Sequence, residues 1–163
     1  MRIKLYNLIK DRLNGIKSGD KPLIKYVDIW NNQTSMPVEE QAFRLPAVFV
    51  EINGIQYGNL TNGRQNASVD FTLHVVTDSR KGKADKAMET NFEVCNIINA
   101  TLCGVGLKNY IGSIVRAGSM TDSNFDEWIE NQETYHCYCY DDSALKKYDL
   151  IEVENLLIKT TAG

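Results

Sequence analysis

The chain has 163 residues and a mass of 18.4 kDa, with 43% hydrophobic and 24% charged residues, a net charge of −3 and a pI near 5.4. This length suits one domain spanning residues 1–163, and the composition is that of a folded globular protein, which excludes disorder as the main state. No apolar run approaches the roughly 18 residues of a membrane helix. The acidic balance argues against a general affinity for nucleic acid. Met1-Arg2-Ile3-Lys4 opens no signal-peptide core, so the chain is expected in the cytosol.

Residues 3–13 place Ile3, Tyr6, Ile9 and Leu13 on one stripe, with Leu5 and Leu8 beside it. That 3.6-residue period predicts an amphipathic helix, capped by Asn14-Gly15. Residues 18–22 read as a loop. Residues 23–30 predict a strand, with Ile24, Tyr26, Asp28 and Trp30 opposite Lys25, Val27 and Ile29. After a polar loop to Pro37 and the short acidic Glu39-Glu40-Gln41, residues 46–53 give a strong strand signal. Pro46 there suits a first strand position, where a missing N–H matters least.

Residues 54–66 hold three glycines and three asparagines. Asn62-Gly63 favours positive φ and marks a turn, so this stretch predicts an extended β-hairpin arm. The returning strand, 67–77, sets Ala67, Val69, Phe71, Leu73 and Val75 against Ser68, Asp70, Thr72, His74 and Val76. One face is therefore buried and the other polar. A basic loop at 78–83 leads to a helix from about Ala84 to Leu102, stopped by Gly104 and Gly106. Residues 112–120 predict a strand and 121–126 a turn. Residues 127–141 predict a long strand, with Trp128, Glu130, Gln132, Thr134, His136, Tyr138 and Tyr140 on one face. Residues 151–160 are a candidate last strand. The order predicts an α+β fold: a mostly antiparallel β-sheet with two packed α-helices and the hairpin arm.

Chemistry-bearing residues are sparse. His136, Cys137 and Cys139 have soft-ligand character, but strand geometry turns His136 away from both thiols, and Cys95 and Cys103 are too far apart to supply a second pair. Four cysteines without a signal peptide read as reduced thiols. His74 and His136 sit in no nucleophile motif. The carboxylates Asp126, Glu127, Glu130 and Glu133, and Asp141 with Asp142, read as solvated faces or turns. No catalytic residue, metal site or cofactor is therefore expected. Arg80, Lys81, Lys83 and Lys86 form a basic loop ahead of a helix, read either as a solvated loop or as a channel-facing contact with DNA. The hairpin arm is either an ordinary hairpin or an assembly arm that reaches a neighbour's sheet edge. In the second case Ile55, Gln56, Tyr57, Leu60 and Arg64 are the candidate oligomer-interface residues.

The element order with Tyr26-Val27-Asp28-Ile29-Trp30-Asn31-Asn32-Gln33, Leu45-Pro46-Ala47-Val48-Phe49-Val50-Glu51-Ile52 and Val69-Asp70-Phe71-Thr72-Leu73-His74-Val75-Val76-Thr77-Asp78 resembles the tail-terminator and head–tail joining (neck ring) proteins of tailed bacteriophages. The similarity covers about residues 3–140. It implies a structural virion subunit assembled in the host cytoplasm. The subunit would form a homo-oligomeric ring with neighbouring neck and tail proteins around a channel that passes DNA. It implies no enzymatic activity and no membrane partner. The stretch 141–163 departs from the shorter members. The alternative is a small cytosolic enzyme or ligand-binding domain using His74, His136 and nearby carboxylates.

Overall fold

The computed structural model describes residues 1–35, 43–80, 84–122 and 128–145. Helix α1 (Arg2–Asn14) is followed by β1 (Lys17–Ser18), β2 (Lys21–Pro22), β3 (Tyr26–Ile29), β4 (Ala47–Asn59), β5 (Gln65–Asp78), α2 (Ala84–Leu102), β6 (Val115–Asp122) and β7 (Trp128–Asp141). Five strands form one mixed sheet in the order β3-β4-β5-β7-β6. Only the short β3–β4 pair is parallel, and the others are antiparallel. This is the α+β class the sequence predicts. The loop read at 18–22 instead holds the small β1–β2 ladder around Gly19. The expected acidic stretch at 39–41, the end of the turn before residue 128 and the candidate strand at 151–160 lie outside the described residues.

The alternation in β5 sets the two faces. Val69, Phe71, Leu73 and Val75 meet the helices, and the cross-strand partners Tyr135, Cys137 and Cys139 of β7 extend that surface. Helix α1 covers it with Leu5, Ile9 and Leu13, and α2 with Val94, Cys95, Ile98 and Leu102. Each such side chain, fully buried, contributes about 1.5–3 kcal/mol. The buried stripe of α1 runs through positions 5, 9 and 13. Ile3, predicted to be buried, lies about 200° around the helix from Leu5 and is 75% exposed. Helix α2 ends at Leu102, and Gly104 follows with φ +80°.

The opposite face is covered over one half only. Ala47, Phe49, Val76 and Trp128 form a second cluster with Tyr26, Trp30, Phe43 and Leu45 packed on it. Phe43 meets Phe49 edge-on at 5.0 Å between ring centroids. The other half presents Asp70, His136 and Tyr138 to solvent. The predicted hairpin is present, with positive φ at Asn62 and Gly63 in its turn. β7 runs beside β5 along its full length, out to Gln65 opposite Asp141, so the distal half of the hairpin is part of the sheet. Among the described residues, no helix is long and apolar enough to cross a membrane.

Candidate functional site

Where the aromatic half of the open face meets the polar half, β5 delivers His74, β4 delivers Glu51 and β7 delivers Glu130. His74 Nδ1 lies 2.6 Å from Glu130 Oε1, and Nε2 lies 3.0 Å from Glu51 Oε2. Each ring nitrogen thus faces a carboxylate oxygen of a different strand. The Trp30 ring stacks on the imidazole at 3.8 Å between centroids, with 4° between the planes. That arrangement adds an aromatic stack to the two hydrogen-bonding contacts.

Glu130 is buried, which alone would raise its carboxyl. Hydrogen bonds from His74, Thr34 and Gln132, and the positive imidazole, outweigh this and hold it below the ordinary value. Glu51 is 40% exposed and carries the network to the surface. There a groove of about 400 Å³ opens, lined by Ile3, Tyr6, Ile29, Trp30, Val50 and Ile52, with Arg2 and Glu51 at its polar positions. Both His74 nitrogens are engaged, so neither is free to take a proton from a substrate.

His136 is a separate feature. Its Nδ1 lies 2.8 Å from Asp70 Oδ1 across the strand pair, and Tyr138 meets its ring edge-on. The acidic residues of β7 do not act together. Glu130 lies on the open face, whereas Glu133, one residue out of phase, is buried on the helix side. Glu133 accepts bonds there from Arg116 Nη1 (3.0 Å), Ser119 Oγ (2.6 Å) and the Asn131 amide. Asp126 and Glu127 lie outside the described residues. Cys137 and Cys139 are buried side by side with 3.7 Å between sulfurs. Among the described residues no three His, Cys, Asp or Glu side chains converge to hold a metal ion.

The hairpin residues singled out from sequence divide. Gln56, Tyr57 and Leu60 are exposed, while Ile55 packs against the helix-side core. Arg64 is partly exposed and engaged within its own chain. Its Nε lies 3.0 Å from Asp142 Oδ1, its Nη2 donates to the Asn109 carbonyl, and its guanidinium sits over the Tyr140 ring. It therefore ties the end of β7 to the hairpin turn. In the basic loop Arg80 pairs with Asp78 at 3.1 Å, and Lys81 and Lys83 lie outside the described residues.

The Glu51–His74–Glu130 contact was not legible in sequence. Each residue was placed on a strand, but the contact depends on register between strands. A second feature that sequence reading passed over is the margin of the sheet at β6. Val115 (56% exposed) and Met120 (59%) stand there beside Tyr138 (64%). Compared with known proteins, the chain matches no protein-family model and no curated protein sequence.

Proposed function

We propose that this chain is a structural subunit of a homo-oligomeric ring at the head–tail junction of a tailed bacteriophage, joining neck and tail components around the DNA channel, and that it catalyses no reaction. The observation that carries this reading is the β6 margin. β6 is an eight-residue edge strand with no strand on its outer side among the described residues, and exposed apolar side chains flank it on the open face. Such an edge is a template for another chain, and proteins leave one of this length open where a partner covers it. A margin that meets a different surface of the next copy makes a head-to-tail contact, which closes into a ring when the rotation permits. Engagement of both His74 nitrogens supports the non-enzymatic reading. The net charge of −3 suits a lumen in which DNA slides.

Light scattering at two concentrations, followed by imaging, tests the proposal. A discrete ring-sized species with a central opening is expected. The double variant Val115→Lys, Met120→Lys should reduce it to monomer with an unchanged circular dichroism spectrum. Rings of undiminished mass in that variant would remove β6 from the interface. The second reading, a ligand-binding domain, draws on the groove beside Trp30 and Glu51. It requires a ligand-dependent rise in melting temperature.

A further inference from the structure

Both margins of the sheet are open among the described residues. On one side no strand lies beyond β6, and all of it but Asp122 is exposed. On the other side β3 covers β4 only along Ala47–Val50, where Trp30 N donates to the Val50 carbonyl at the end of the column. From Glu51 to Asn59 the outer edge of β4 has no strand partner among the described residues, a stretch about as long as β6. Directions also agree. β4, β5, β7 and β6 are antiparallel in turn, so β6 runs opposite to β4. A second copy placed beside the first in the same orientation therefore offers its β4 to β6 as an antiparallel neighbour.

The side chains select a register. Val115 and Met120 stand on the open face, opposite His136 and Gln132 of β7. Gly54 and Gly58 stand on the same face, opposite Asp70 and Asn66 of β5. A Cβ at Gly54 would meet nothing within 4 Å. Through Gln132, Met120 is level with His74 of β5, while Gly54 is level with Asp70, four residues along. Through His136, Val115 is level with Asp70, while Gly58 is level with Asn66, again four residues along. One displacement of the second copy thus sets both apolar side chains over both glycines. Being even, it keeps every residue on its own face.

The same displacement clears β3. It brings Val50 of the second copy level with Thr77, whereas β6 ends at Asp122, level with Val76. The neighbour's β3 and β6 then meet end to end in one column. Asp122 comes beside Glu51, whose carboxylate is already bonded to His74. The step measures about 14 Å along the strands, across four strands about 19 Å wide. That inclines the strands by about 36°, and sheets that close on themselves incline theirs by about 35–45°.

We propose that β6 of one copy adds to the outer edge of β4, from Glu51 to Asn59, of the next copy, with Met120 over Gly54 and Val115 over Gly58. This rests on the ring reading and names the second surface of its head-to-tail contact, a strand addition between copies.

Cysteine cross-linking in the full chain tests it, with Cys103→Ser removing the exposed thiol. Gly54→Cys together with Met120→Cys should give a ladder of covalent multimers under mild oxidation, and neither variant alone should. A parent chain that is monomeric at every concentration overturns the ring reading and this one with it. Rings that form in the double variant without cross-links leave the ring reading standing and overturn this placement. A covalent dimer from Met120→Cys alone would join two β6 edges, and would also overturn it. Where the cysteines prevent assembly, hydrogen exchange on the parent chain decides. Amides 54–59 should exchange about tenfold slower in the ring than in the Val115→Lys, Met120→Lys monomer, with 67–76 alike in both. Equal exchange at 54–59 would overturn the proposal.

Discussion

His74 is held by charge on two sides and by an aromatic face, so its removal exposes the carboxylates more than the imidazole. His74→Ala leaves Glu130 buried without its counter-charge. The expected loss is about 3 kcal/mol in urea unfolding, the cost of orphaning one member of a buried pair. The acid limb follows from Glu130 itself. Its folded value lies below the ordinary 4.5. It therefore contributes stability that is fully present above the unfolded value and is lost as pH falls through the folded value. Glu130→Gln should lower the urea midpoint near neutrality and flatten its decline in acid, so the two curves converge at low pH. The strand alternation at 67–77 and 127–141 placed His74 and Glu130 on polar faces. It could not pair them, because Glu51 and Glu130 reach His74 through the register of two different partners. The burial of Glu133 was equally hidden. A carboxylate in a run of polar residues reads as solvated until Arg116, Ser119 and Asn131 close around it.

At the scale of elements, two local devices hold the sheet margins. Gly63 sits at φ +83° against the Ala144 backbone, so Gly63→Ala meets both a disfavoured conformation and a contact that cannot recede. A loss of about 2 kcal/mol is expected by urea denaturation. Faster exchange at the end of β7 should accompany it, because the same turn holds that strand. On the other side β6 is fastened to β7 by side chains as well as backbone, through Glu133 with Arg116 and Ser119 and through Asn131 with Thr121. Glu133→Ala should release β6, seen as faster exchange over 115–121 with β5 unaffected. The long elements were readable because their periods are strong: the bounds of α2 and the faces of β5 and β7 follow from spacing alone. β3 was readable as a strand but not as a parallel one. Direction is set by where the 30–46 connection returns, and no residue pattern encodes that. The stripe of α1 was misjudged at Ile3, since a helix of 13 residues can bury either of two adjacent rows and the sheet selects one.

Across the whole molecule the helices close one face of the sheet, and the other face is aromatic at one end and polar at the other. The thiols follow this plan. Cys95, Cys137 and Cys139 are buried under the helices, and Cys103 is exposed just past the end of α2. Burial, with Glu133 nearby, pushes the Cys95 thiol up to about 12. One thiol should therefore react rapidly with a disulfide reagent in the native protein and four in denaturant. A second fast thiol would mean that the helix layer opens readily.

β5 lies at the centre of the sheet, buried from Phe71 through Thr77 and bonded on both edges. Its two partners arrive at different times. β4 precedes it across a tight turn and can zip onto it within microseconds, whereas β7 must emerge after α2 and β6 and close a long loop. During synthesis the most extensively buried of the described strands therefore stands with one raw edge until residue 141 has left the ribosome. Chains released before that point carry a ready-made seed for aggregation. The order of the strands thus makes β7, the later-made neighbour, the safeguard of the first pairing to form.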